Sequence, residues 1–285
     1  VLAYLVAQVG VLQAQEAAVL LDGPDAVHRT RVATRRLRSA LRTFGGVFDP
    51  GRVSYLRDEL RWHAEQLGGA RDTEVLQEGL TAALSELPEP AGATVAGRVT
   101  SSLVAAHAIA HARLIESMCT ERYVELQLDL EQLLVAPGLD WVAGEEASRV
   151  LPPMLAEAVG RVRKVARRAA SRPGDLVRWH GVRKAAKAVR YGAEALEGVL
   201  GETAENWRAG WEQVTAAFGA VQDCVVATQV LEELASQTVV EGLSRAPFDA
   251  LLAHQDASLR EALTRGRDAL GAALGQRQGP ENYRT

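Results

Sequence analysis

The sequence predicts an all-α protein made of two tandem antiparallel helical bundles, and three observations lead there. Apolar residues recur at the helical period through most of the chain, and no useful stretch alternates apolar with polar residues as a strand would. Gly and Pro fall in short clusters between these stretches, as punctuation should. The chain also repeats itself. Aligning His28 with His180 puts Arg31 on Arg183, Arg35 on Lys187 and Arg38 on Arg190 at an offset of 152. Downstream, LGGARDTEVL aligns with FGAVQDCVVA, placing Asp72 on Asp223 at an offset of 151. Two matches at nearly one offset predict an internal duplication, with pseudo-twofold halves at 1–138 and 139–274 and a polar, fraying tail at 275–285.

The first helix is expected over 1–21. Gln8, Gln13, Gln15 and Glu16 interrupt its apolar residues and no basic leader precedes it, so it reads as an amphipathic helix rather than an export signal. Asp22-Gly23-Pro24 should stop it. A basic helix follows from 25 to about 48, ended by Gly45, Gly46, Pro50 and Gly51. A third helix over 52–67 is expected to break at Gly68-Gly69 before a fourth over 72–87. Pro88 and Pro90 then set off a long helix, 94–118, and a shorter one, 121–135. Pro137-Gly138 marks the boundary between halves. In the next helix, 145–170, Pro152 and Pro153 should mark the true start. Helices at 177–200, 202–218, 223–238 and 247–273 complete the chain. None of these is expected to span a membrane. The chain starts on Val rather than Met, which reads as a fragment with a further domain upstream.

Composition narrows the function. Aromatic residues make up only 5%, too few for the stacking platforms of single-strand nucleic-acid binders. Cys119 and Cys224 form neither a disulfide framework nor a metal-spaced cluster, which fits a reducing, cytoplasmic setting. The net charge of -4 conceals a concentration of positive charge: residues 27–42 and 161–190 together hold 17 Lys and Arg against one acid, Asp175. Cations gathered on an otherwise acidic chain argue for a localised anion site.

The basic helix shows how that site is built. With His28 at zero and about 100° per residue, Arg31, Arg35, Arg38 and Arg42 fall between about 280° and about 340°. Ala33, Leu37, Ala40, Leu41, Phe44 and Phe48 fall between about 120° and about 220°. One face is cationic and the opposite face apolar, and the absence of acids over 27–42 leaves no intrahelical partner for the cations. The second copy carries His180, Arg183, Lys184, Lys187 and Arg190. Lys164 and Arg168 form a further cationic band just upstream, which a short turn should bring alongside. Glu194 stands where the first copy has Arg42 and should bound the anion track at that end; Lys184 replaces Val32, which shifts the second band around its helix.

With VHRTRVATRRLRSALRTF, LGGARDTEVL and HGVRKAAKAVRYGAEAL read in order, the chain resembles the CHAD family, whose name refers to histidines in an α-helical domain. The resemblance implies two helical bundles around a shared cationic groove that binds inorganic polyphosphate without catalysis, in association with polyphosphate granules. It also implies an upstream CYTH-type triphosphatase domain as a possible partner in the parent chain. The corresponding site residues would be His28, Arg31, Arg35 and Arg38 with His180, Arg183, Lys187 and Arg190; Arg42, Lys164, Arg168 and Lys184 join them from the charge pattern. Arginine rows at helical spacing suit successive phosphates, since guanidinium forks bind phosphate in a bidentate way. The alternative is a nucleic-acid backbone binder or the accessory domain of a phosphohydrolase. Against catalysis, the basic faces offer no metal-binding carboxylates or phosphate loop.

The remaining candidates have structural readings. Asp72 and Asp223 read as helix caps or arginine-orienting acids. His107 and His111 in HAIAH have metal-ligand spacing, but no third ligand is visible nearby, so they read as bundle packing, and no metal or cofactor is expected. For His63 and His254 the spacing along the sequence points to no functional role. Trp62, Trp141, Trp179, Trp207 and Trp211 read as core or interhelix anchors.

Overall fold

The computed structural model describes residues 1–85, 91–240 and 244–275. Pro88, Pro90 and the tail beyond Gly275 lie outside the described residues. Within them the chain forms nine α-helices: α1 Leu2–Leu20, α2 Ala26–Thr43, α3 Pro50–Ser85, α4 Ala91–Met118, α5 Glu121–Val135, α6 Ala147–Ala170, α7 Leu176–Leu200, α8 Glu202–Val240 and α9 Ala246–Leu274. Short 3-10 turns follow α2 and α5, and an isolated antiparallel bridge joins Phe48 to Leu139. No strand is present among the described residues.

Local chemistry sets several of these boundaries. Leu5, Val9, Leu12 and Val19 give α1 a buried stripe. Asp22 and Asp25 then adopt positive φ in the turn before α2. Thr120 starts α5 by accepting the backbone N–H of Tyr123, and Asp175 starts α7 by accepting that of Arg178.

Three expected boundaries are corrected. The Gly68-Gly69 pair does not break α3, and Gly219 does not break α8. A Cβ on Gly69 would stand 3.2 Å from that of Ala110, and one on Gly219 would stand 3.2 Å from Nη2 of Arg183. These glycines mark close approaches of α4 and α7. An interior helical glycine costs about 1 kcal/mol relative to alanine, and burial of Leu67, Ala70 and Leu114 at the α3–α4 contact offsets it. Pro152 and Pro153 sit inside α6, not at its start. Their missing N–H groups leave the carbonyls of Ser148 and Arg149 without the usual helical donors, while Leu151 and Pro152 are buried by the longer helix.

A fourth correction follows from the unbroken α8, which is long and apolar enough to cross a membrane by length and composition. Reading it as two shorter helices had hidden this. In the fold its Trp207, Trp211, Val214, Phe218 and Leu231 are buried against other helices, as in the core helix of a bundle.

Consecutive helices pack on one another within each half, α1 to α4 in the first and α6 to α9 in the second; α5 lies against α1, α3 and α4. The halves meet where α2 packs on α7 and α3 on α8. One apolar cluster runs across this junction, uniting Leu37, Leu41 and Phe44 with Leu155, Val189 and Trp211. A second cluster, with Leu80, Leu103, Leu231 and Leu251, ties together the far ends of α3, α4, α8 and α9. We propose that 1–138 and 139–274 are sequence repeats that fold as one cooperative unit. The matching order of helix contacts supports the repeat; the shared core supports the cooperativity.

Phe44 is fully buried in that shared core. Phe44→Ala should destabilise the protein by about 3–5 kcal/mol. In urea, far-UV circular dichroism and the fluorescence of the second-half tryptophans should shift together; separate midpoints would show that the halves unfold independently.

Candidate anion-binding groove

The cationic faces of the two basic helices meet at a junction. α2 lies against α7, and the arginines of one helix are directed toward those of the other. Arg31 and Arg35 from α2 share their surroundings with Arg183, Lys187 and Arg190 from α7 closely enough to affect one another's ionisation. Both helices turn their opposite sides, Leu37 and Leu41 on one and Val182 and Val189 on the other, into the core. The apolar register of each helix therefore fixes where its cations go.

The electrostatic consequence is largest at Lys187. Burial, followed by the charges of Arg35, Arg183, Arg31 and Arg190, brings its amine down to about 6. Burial is also the first cause holding the Arg35 and Arg183 guanidinium groups below their ordinary range, though arginine remains charged. His28 is lowered by burial and by Arg71 and Arg35, against the opposite pull of Asp25 and Glu74. His180 is lowered by burial and by Lys184, Arg183 and Lys187, with a hydrogen bond to Gln222 acting the other way. The groove thus disfavours further positive charge.

Its donors are also undersupplied with acceptors. The Nε atoms of Arg35, Arg183 and Arg190 and Nδ1 of His180 are buried without a hydrogen-bond partner. Buried polar groups are ordinarily satisfied, so these atoms leave hydrogen-bonding capacity unused at the cationic junction. The protein answers part of this charge. Asp72 pairs with Arg31 at 2.8 Å. Arg190 reaches Glu212 at 3.2 Å and Thr215 at 3.2 Å, and Asp223 lies within the field of Arg183 and Lys187. Asp72 and Asp223 do not start helices; each lies within a long helix, beside an arginine of the groove.

A model of the CHAD domain matches residues 3–232. The chain belongs to the CHAD-domain family. A crystal structure of the CHAD domain from the plant Ricinus communis aligns with a TM-score of 0.72 at 27% identity, covering 95% of this chain and 90% of that one. PptA from Streptomyces chartreusis aligns with a TM-score of 0.77 over 94% of this chain and 96% of its own, at 20% identity, a likeness of fold. The uncharacterized protein Rv2226 of Mycobacterium tuberculosis is 32% identical over 271 residues, 94% of this chain and 51% of that protein. This CHAD chain therefore spans about half the length of the curated relatives it matches.

Of the CHAD residues singled out from the sequence, Arg31, Arg35, Arg183, Lys187 and Arg190 are brought together, with His28 and His180 in their field. Arg38 and Arg42 are placed apart. Arg38 lies near Arg57 and Arg61 of α3, and Arg42 near Arg161 of α6 as well as Arg38 and Arg57. Lys164 and Arg168 are exposed on α6. Arg168 borders an open depression with Arg178 and Gly181, which lie about 160° and about 100° around α7 from His180, on another flank from the converging cations. Glu194 is not a free end of the anion track: it pairs with Arg36 at 2.6 Å and so fastens α7 to α2.

The sequence reading missed Arg57, Arg61 and Arg71, which α3 contributes, and Tyr191, which lies 5.3 Å beneath the Arg190 guanidinium. Arg57 and Arg61 lay inside the helix expected over 52–67 and Arg71 just beyond its expected end, so spacing along α3 carried their signal. Trp179, Trp207 and Trp211 are buried as anchors, and Trp62 packs beneath Arg122 at 4.5 Å. Trp141 is corrected: it is 79% exposed in the turn after α5.

Heteronuclear NMR of the ligand-free protein should show one lysine amine, absent from Lys187→Arg, titrating near pH 6. A Lys187 signal titrating above pH 10 would mean that water reaches the amine freely.

Proposed function

We propose that this CHAD domain binds inorganic polyphosphate in the groove between α2 and α7, without catalysis. The observation that carries the reading is the convergence of Arg31, Arg35, Arg183, Lys187 and Arg190 from two helices around buried donors that lack acceptors. A polyanion supplies what they need: charge to relieve the mutual repulsion, and oxygens to accept the orphaned N–H groups. Because Arg35, Arg183 and Lys187 are partly buried, a thin flexible chain of phosphates can thread to them, whereas a rigid nucleic-acid duplex meets only the rim. Arg38, Arg42, Arg57 and Arg161 continue the track toward α6. In the parent chain the domain would direct its protein to cytoplasmic polyphosphate granules, or present the polymer to an attached CYTH-type triphosphatase.

Calorimetric titration with polyphosphates of graded length, beside duplex DNA of matched charge, tests this reading. Polyphosphate should bind and DNA should compete poorly; equal competition would favour a nucleic-acid backbone binder. Reversal of Arg35 and Arg183 to Glu together should weaken binding at least about 100-fold and reduce the slope of log affinity against log salt by about 1.5–2.

Binding should also take up protons. An anion raises the Lys187 amine from about 6 toward its ordinary range and favours the charged histidines. For Lys187 the free amine is neutral above about 6 and charged when bound, so affinity rises as pH falls from 8 to 6, by up to about tenfold per unit, and levels off below. A flat profile at fixed ionic strength would show that Lys187 and the histidines lie outside the contact. Lys187→Arg should remove most of the slope.

A further inference from the structure

Outside the groove, the HAIAH segment of α4 gains partners that the sequence did not reveal. His107 Nε2 lies 3.1 Å from both carboxylate oxygens of Asp22, in the turn between α1 and α2. Glu74 of α3 completes the group, with one donor atom from each of Asp22, Glu74 and His107 lying within 4.8 Å of the others. Three separate elements therefore aim an imidazole and two carboxylates at one point.

The hydrogen bonds around His107 decide what that point requires. Thr73 Oγ1 lies 2.6 Å from the Ala70 carbonyl, to which its proton must go, and 3.0 Å from His107 Nδ1. Nδ1 therefore carries the ring proton and donates to Thr73. In the neutral ring this leaves the Nε2 lone pair facing the two oxygens of Asp22, a repulsive arrangement unless something positive lies between. A lone proton would satisfy Asp22 but leave Glu74 unbalanced at the same point, apart from its 2.8 Å bond to Arg71, which Glu78 shares. His111 is already committed. Its Nε2 donates to the Val19 carbonyl at 2.7 Å and its ring stacks on His107, so it holds the ligand ring in place.

We propose that Asp22, Glu74 and His107 form a binding site for a divalent metal ion, Zn²⁺ or Mn²⁺. One imidazole with two carboxylates is a donor set suited to such ions. Ligands about 2.1 Å from a shared ion stand about 3.0–3.4 Å apart in octahedral or tetrahedral arrangement, close to the separation of His107 and Asp22. Thr73 then plays the part of the outer partner that fixes the tautomer of a ligating histidine. Glu74 also acts on His28, so the ion would lie at the edge of the anion groove, where it cancels carboxylate charge.

The test uses tag-free, metal-free protein in the absence of polyphosphate, which itself chelates divalent ions, so its outcome is independent of the anion reading. Calorimetric titration with Zn²⁺ and with Mn²⁺ should give one saturable site, and Mg²⁺ should bind at least about tenfold more weakly than either. Asp22→Asn and His107→Gln should each reduce affinity at least about tenfold with unchanged circular dichroism. Should either variant fail to fold, Thr73→Val, which removes only the outer partner, should still lower affinity about tenfold or more. No saturable binding by wild type, or binding that survives in the folded variants, would overturn the site. So would an NMR spectrum in which His107 is doubly protonated and unmoved by excess Zn²⁺.

Discussion

The interaction on which the rest depends is the repulsion among like charges held between α2 and α7. Arg35, Arg183 and Lys187 sit where water is scarce, and the depressed Lys187 amine reports the strain. Helices free to part would relieve it by parting. They are held because each turns its other face into a common core, and because Arg36 and Glu194 join them at 2.6 Å beside Tyr191. Apolar packing across the junction thus keeps a charge arrangement that electrostatics alone would disperse, a familiar condition of a preorganised ligand site.

Of the acids near the groove, Asp72 holds its cation from a solvated position. Asp72 neutralises one terminal nitrogen of Arg31 from a side chain that is itself 61% exposed, and an exposed pair of this kind contributes about 0–1 kcal/mol. An incoming phosphate can replace it at little cost. Such a contact keeps the guanidinium oriented in the free protein without competing strongly for it. The buried Nε atoms of Arg35, Arg183 and Arg190 have no such substitute, so the acceptor that reaches them gains most.

How much of this was legible in the sequence depends on whether the information lies along one helix or between helices. The register of α2 and α7 and the all-helical class could be read from spacing alone. The misreadings share one cause: the Gly68-Gly69 pair, the interval between 218 and 223, and Pro152 were judged along the chain, while neighbours in space, Ala110, Arg183 and the core around Leu151, decided the outcome. The burial of Lys187 was likewise out of reach, because it depends on α2 closing over α7. The partners of His107 were present in the chain as well, but at Asp22 and Thr73, far from it in number and adjacent only after folding.

The two ends of the groove are not equivalent, although the repeat would make them so. At the end of α2, Arg38 and Arg42 join Arg57, Arg61 and Arg161, with Asp58 and Glu65 acting against Arg38, Asp58 pairing with Arg61 at 3.1 Å and Glu157 lying 3.9 Å from Arg161. Near the end of α7, the corresponding charge is spent internally: Arg190 pairs with Glu212, while Arg208 is divided between Glu197 and Glu212. On the proposed reading, a polymer seated on the central cations would meet further arginines in one direction and a network of ion pairs in the other. That asymmetry follows from particular residues: Glu194 stands where Arg42 would align, and Glu212 and Glu197 take up Arg190 and Arg208.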